Sequence, residues 1–288
     1  MRTIESRDTD PAASDFRARP SFHGRQAMNH SYPAGRGDDA QDDGAPGRHF
    51  IPVFSSDPCR LAAAGACLAS ESCQGPGGEM PGQAQPHGMP RRMVRRGEAI
   101  YRAGDAFGNL YQLYAGSVKL RVTCSSGVEQ IVSFPMAGAL LGLDGIEDGA
   151  HTCDAIALED SVVCIIPFAE LVASWGGNTM MALRLNKAIA QETGSYRRLL
   201  MALACMNSDE RVASFLLDIS GRLGASGYSS RQFVLKMTRE DIAHHLGMQL
   251  ETVSRVLGRL QSARVLEVRR RHLHILDPDA LRKIGSGY

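Results

Sequence analysis

Apolar and polar positions change rhythm three times along the 288 residues. Up to residue 57, Ser, Asp, Gly, Pro and Arg dominate with no apolar period. Such a segment cannot bury enough surface to offset its ordering, which predicts a disordered tail over 1–57. A cysteine-bearing stretch follows over 58–90, and from Gln74 it has the Gly/Pro/Gln composition of a flexible connector. From Arg91 to about Pro167, short runs of Val, Ile, Leu, Tyr and Phe alternate with glycine turns, as in Ala99-Ile100-Tyr101-Arg102-Ala103-Gly104-Asp105. Evenly spaced short strands of this kind predict a sandwich or barrel. Helical spacing begins near Phe168, and its longest apolar stripe includes Ile189, Leu199, Leu200, Leu203 and Met206. A stripe like this fits core packing and a dimer seam equally well.

Near the C-terminus the pattern is more specific. Met237 to Gly247 opens with Thr238, carries Asp241 three residues later and closes on a glycine, so both ends of a helix are marked. After Met248-Gln249-Leu250, a second helix is predicted from Glu251 to about Gln261, with Gln249 a weak cap that leaves the boundary free to slip by a residue. On it Val253, Val256, Leu257 and Leu260 share one side, while Glu251, Ser254, Arg255 and Arg259 share the other. Two helices joined this way form a helix-turn-helix, whose second helix can lie in the DNA major groove. There Arg255 can donate twice to guanine, Glu251 can accept from a cytosine amine, and Ser254 can serve a base edge or a phosphate. Val265 to Val268 and His272 to Leu276 then predict a hairpin wing around Arg269-Arg270-Arg271, suited to phosphates.

Charge sharpens this picture. The formal net charge is +1, yet from Val122 to Leu183 there is no Lys or Arg against eight carboxylates: Glu129, Asp144, Glu147, Asp148, Asp154, Glu159, Asp160 and Glu170. From Arg184 onward seventeen Lys and Arg face ten Asp and Glu, a basic end that suits a polyanion. No apolar run approaches the roughly 18 residues of a membrane span. The N-terminus has no signal-peptide core, so a cytoplasmic protein without a membrane partner is expected. No Walker loop, HExxH pair, serine elbow or GxGxxG is present, so an enzyme is not expected. His244 and His245 adjoin on one helix and cannot face one site; they read as packing or phosphate-adjacent residues.

The run Met237 to Leu260, above all Leu250-Glu251-Thr252-Val253-Ser254-Arg255-Val256-Leu257-Gly258-Arg259, closely resembles the reading helices of the CRP/FNR family of bacterial regulators, and within it the FNR branch. Glu251, Ser254 and Arg255 match that branch's three base-contacting positions, which implies TTGAT-type half-sites in an inverted repeat. The resemblance covers residues 91–288, including Tyr101 to Asp105, Gly138 to Asp148 and Leu158 to Phe168. It implies an α+β fold: a cyclic-nucleotide-binding-type β-roll over 91–180, a dimerisation helix over 181–208 and a winged helix-turn-helix over 209–288. It also implies a two-fold homodimer on double-stranded DNA. Thr238, Arg259, Arg269, Arg270 and Arg271 are counted with Glu251, Ser254 and Arg255 as DNA-binding candidates. The loop Gly145 to Thr152 resembles a surface that touches RNA polymerase; with Glu147 and Asp148 it reads equally well as a solvated acidic loop.

Relatives that bind cyclic AMP place a glutamate on the ribose and an arginine on the phosphate. Here Leu143 follows Gly142 where the glutamate would stand, and Thr152 to Asp154, where the arginine would fall, lies within the span lacking Lys and Arg. Burying a phosphate without a countercharge costs several kcal/mol, so no cyclic AMP response is expected.

Seven cysteines in a reducing compartment point to metal or redox chemistry rather than disulfides. Cys59, Cys67 and Cys73 precede the roll, and Cys164 matches the FNR branch's fourth cluster ligand. The resemblance therefore implies a [4Fe-4S] cluster on these four thiolates and a global, oxygen-responsive regulator. The spacing of Cys67 and Cys73 fits that branch. Cys59 departs from it, because Ala64 stands where the family has a cysteine. Zinc, a dithiol switch and unligated thiols are the other readings. Cys153 is a reserve ligand, and Cys124 and Cys205 are expected as buried small apolar residues.

Overall fold

The computed structural model describes residues 90–173 and 179–286. Eight strands come first: β1 (Arg91–Val94), β2 (Ala99–Tyr101), β3 (Asn109–Ala115), β4 (Val118–Thr123), β5 (Glu129–Ser133), β6 (Leu140–Leu141), β7 (Asp154–Ala157) and β8 (Ser161–Pro167). They pair antiparallel in two four-stranded sheets, ordered β1-β8-β3-β6 and β2-β7-β4-β5. The period-two alternation of the sequence sends Ile100, Leu113, Val118, Leu120, Ala155 and Val163 into one shared core between the sheets. This is the expected β-roll.

A short helix, α1 (Phe168–Ala173), leaves β8, and the long helix α2 (Thr179–Cys205) follows. Leu185 of α2 is buried with Leu110, Ile166 and Leu171, which fixes the helix to the roll. The apolar stripe divides: Leu203 is half-buried, whereas Ile189 and Leu200 are 40% and 64% exposed. One helix thus serves its own core and presents an apolar face outward.

The C-terminal part contains α3 (Ser208–Ala225), β9 (Gln232–Val234), α4 (Arg239–Leu246), α5 (Leu250–Ser262), β10 (Leu266–Arg269), β11 (His272–Ile275) and α6 (Pro278–Gly285). Asn207 caps α3 in a reciprocal box with Glu210. The three strands form a small sheet ordered β10-β11-β9. Its core is continuous with the roll: Ile131, Phe134 and Leu158 pack in one cluster with Phe215, Leu216, Ile242, Leu246, Val253 and Leu273.

Two cysteines depart from expectation. Cys124 is exposed because β4 ends at Thr123 and the chain there turns into solvent, its N–H bonding Val128 O at 2.9 Å. Cys205 is exposed as the last residue of α2. The N-terminal segment with Cys59, Cys67 and Cys73 lies outside the described residues.

Candidate nucleic-acid interface

Thr238 caps α4. Its Oγ1 accepts from Asp241 N at 3.0 Å and donates to Asp241 Oδ2 at 2.8 Å, while the same carboxylate oxygen accepts from Thr238 N at 2.8 Å. The hydroxyl proposed to sit beside DNA is therefore committed to the helix cap. Gly247 ends α4 with φ +60°, a left-handed conformation natural to glycine. A side chain there would also meet Leu203 Cδ2 of α2 at 3.0 Å.

Gln249 occupies the N-cap of α5 without a side-chain bond, and the helix starts at Leu250, one residue earlier than the pattern indicated. The face division holds: Val253, Val256, Leu257 and Leu260 are buried, Glu251, Arg255 and Arg259 are exposed, and Ser254 is half-buried. Arg255 Nη2 donates to Thr252 Oγ1 at 3.4 Å. Arg259 is instead tied to Asp209 of α3. In the wing, Arg269 pairs across from His272, so Arg270 and Arg271 form a two-residue turn, with Arg270 at φ 56°. Arg269 pairs with Glu267 at 2.7 Å, and Arg271 Nη1 donates to Lys236 O at 3.3 Å.

The bonds that fasten this unit to the roll join residues far apart in the sequence. Lys119 of β4 bonds Asp241 Oδ1 at 2.6 Å, and Lys236 bonds Glu159 Oε2 at 2.7 Å. Burial alone would raise the Asp241 carboxyl, but Lys119 and the Thr238 N–H and hydroxyl outweigh it and hold the group below its ordinary value. Gln130 Nε2 donates to His245 O at 3.1 Å, His245 Nδ1 donates to Ile131 O at 2.9 Å, and Arg222 Nη1 donates to Phe134 O at 2.8 Å. Burial between Phe134 and Phe215 lowers the His245 imidazole, which stays neutral with its proton on Nδ1. The sequence marks each side chain singly, Lys119 on a strand and Asp241 in the first turn of a helix, but carries no sign of their pairing.

Inside the roll, His151 is 3% exposed and stacks on Tyr101 at 3.8 Å. Asp144 Oδ2 accepts from Thr152 N at 2.8 Å and lies 3.5 Å from Cys153 Sγ. Burial, with the Asp144 charge adding, pushes the Tyr101 hydroxyl and the Cys153 thiol well above their ordinary values, so both are neutral. Asp154 is paired with Arg121 at 2.7 Å. Cys164, 1% exposed on β8, faces Arg91 across one edge and Gln112 across the other. Among the described residues no group of three or more His, Cys, Asp or Glu side chains is arranged to hold a metal ion, and no helix is long and apolar enough to cross a membrane.

A winged helix-turn-helix with a polar, basic reading face, cored together with a β-roll and its long helix, defines a DNA-binding transcription regulator. Residues 210–284 match the Crp-like helix-turn-helix domain, and 91–173 match the cyclic nucleotide-binding domain. The Anaerobic regulatory protein of Pasteurella multocida is 36% identical over 196 residues, 68% of this chain and 72% of that one. The Fumarate and nitrate reduction regulatory protein of Escherichia coli is 35% identical over 196 residues, 68% and 78% of the two chains. The structure of FixK2 from Bradyrhizobium japonicum superposes with a TM-score of 0.63 at 28% identity, covering 69% of this chain and 98% of that one. The chain belongs to the CRP/FNR family of transcription regulators.

Proposed function

We propose that the protein is a global, oxygen-responsive regulator that binds inverted TTGAT-type repeats as a homodimer, with Cys59, Cys67, Cys73 and Cys164 holding a [4Fe-4S] cluster. The observation that carries the reading is the place of Cys164. Pro90 O accepts from Ile165 N at 2.9 Å, so the described chain joins the sheet beside that thiol. Cys73 is seventeen residues from Pro90. At roughly 3.3 Å per residue that chain spans up to about 56 Å, ample for the three N-terminal thiols to reach Cys164. A cluster, when bound, would supply an oxygen-labile centre. The chain's own part is to bring its N-terminal thiols to β8, and through β8 to α1 and the base of α2. The names of two relatives refer to anaerobic and to fumarate and nitrate regulation, in keeping with this reading.

On DNA, α5 enters the major groove, where Glu251 accepts from cytosine, Arg255 donates to guanine and Ser254 bonds a neighbouring base. Arg259, Arg269, Arg270 and Arg271 lie toward the phosphates and hold register, while Thr238, whose hydroxyl and N–H are given to Asp241, supports them by capping α4. The exposed residues of α2, Ile189, Leu200 and Met201 among them, bury against the second copy and set two reading helices about one DNA turn apart. The exposed loop carrying Glu147 and Asp148 meets RNA polymerase. No response to cyclic AMP is expected: Asp144 lies against a neutral Cys153, and Arg121, which reaches Asp154, is already paired with it and with Glu129.

Anaerobic reconstitution with iron and sulfide, followed by absorption, iron count and binding to the inverted repeat before and after air, tests the reading. A brown chromophore and DNA affinity that decline together in air are expected, and Cys164→Ala should abolish both. Repeat binding without any cluster would move the sensor to thiol chemistry. Full anaerobic binding by Cys164→Ala would overturn the ligand assignment.

A further inference from the structure

Arg239 is the first residue of α4, where the helix's free N–H groups already carry partial positive charge and a cation is electrostatically misplaced. Among the described residues it forms no ion pair, unlike Arg259, Arg269 and Arg282, each bonded to a carboxylate. Its Nη1 instead donates to Ser254 Oγ at 3.2 Å, across the turn between α4 and α5. A serine hydroxyl has one hydrogen to give and two lone pairs to accept with. A guanidinium can only donate, so this bond occupies a lone pair and leaves the hydrogen for another partner.

We propose that Arg239 is a positioning residue of the reading surface, one that sets Ser254 as a hydrogen-bond donor toward an acceptor on the base edge. This rests on the proposal that α5 lies in the major groove with Ser254 against a base. The chemistry assigns Ser254 a preference for guanine O6 or N7, adenine N7 or thymine O4 over the amino groups of cytosine and adenine. A serine without the arginine can donate or accept, and discriminates less. Arg239 is exposed, so replacing it leaves the core of the unit untouched.

The test measures binding of the full-length, anaerobically reconstituted protein to the inverted TTGAT repeat and to repeats changed at one half-site position at a time. Wild type, Arg239→Met, Arg239→Lys, Ser254→Ala and the double variant Arg239→Met/Ser254→Ala are compared over a series of salt concentrations. Arg239→Met is expected to lower discrimination at one position about fivefold, as is usual for one polar contact. The loss should fall at the same position as in Ser254→Ala, and the double variant should lose no more than either single variant. Arg239→Lys, which keeps a donor, should recover most of the discrimination. The inference is overturned if Arg239→Met weakens every sequence equally and lowers the salt slope by about one while discrimination stands, since that marks a simple phosphate contact. A wild-type protein that does not distinguish the repeat from scrambled DNA would remove the groove-reading proposal, and this inference with it.

Discussion

Lys119 of the β-roll and Asp241 of the first reading helix are joined by a 2.6 Å ion pair, and the same carboxylate closes the cap of that helix on Thr238. A single side chain thus fastens the reader to the sensor and finishes the reader's own secondary structure. Asp241 is 7% exposed, so its partner cannot be removed without cost. Lys119→Met is expected to destabilise the chain by about 1–2 kcal/mol, discounted for the partly solvated lysine, and to lower the melting temperature by a few degrees. The Asp241 carboxyl is held below its ordinary value, so this contribution is present above the ordinary carboxylate range. It fades as pH falls through the lowered value, and the variant should melt with a flatter acid limb. Thermal melts of both proteins between pH 3 and 7 check this.

His245 gives a second pH signature. Its imidazole is held neutral by burial, so the folded chain resists a proton that the unfolded chain accepts near pH 6.5. The linked stability is full above that pH and declines as pH falls through the histidine range. His245→Phe removes the titrating group and loses the bond to Ile131 O. It should lower the melting temperature at pH 7.5 and narrow the difference between pH 7.5 and 5.5.

Glu192 on α2 behaves in the opposite sense. Burial raises its carboxyl, with Asp144 adding to the effect, against the 2.5 Å bond from Tyr196. A raised carboxyl favours the fold while protonated and loses that contribution as pH climbs through the raised value. Glu192→Gln is therefore expected to raise the melting temperature at pH 7.5 and to have no such effect near pH 4. Equal gains at both values would show that the carboxyl is not perturbed.

The wing turn sets charge against backbone preference. Arg270 holds φ 56°, where an L residue is strained and glycine is not. Arg270→Gly is expected to stabilise the chain by about 0.5–1 kcal/mol while weakening binding to all sequences and lowering the salt slope by about one. Denaturant titration and binding at graded salt read the two effects separately.

The reading unit was legible in the sequence because its signals are local. Thr238, Asp241 and Gly247 mark the ends of α4, and Val253, Val256, Leu257 and Leu260 mark the inner side of α5. The start of α5 was one residue off because Gln249 supplies no capping bond to announce it. The hold of β4 and β5 on α4 was not legible: Lys119 and Asp241 are separated by 122 positions, and nothing in either neighbourhood names the other. The exposure of Cys124 and Cys205 escaped for a related reason, since a small apolar residue at the end of an element reads the same as one in its middle. The double duty of α2 depends on which turns of the helix meet the roll, a matter of tertiary contact.

The core that runs without a break from Ile131 and Phe134 into Ile242 and Leu246 makes sensor and reader one cooperative unfolding unit. Hydrogen exchange in β5 should then slow when operator binds at α5, although that strand belongs to the roll and not to the reading helix. By thermodynamic reciprocity, the free energy that any event in the roll adds to or takes from DNA binding must return, equal in size, as a change in that event's own equilibrium on DNA.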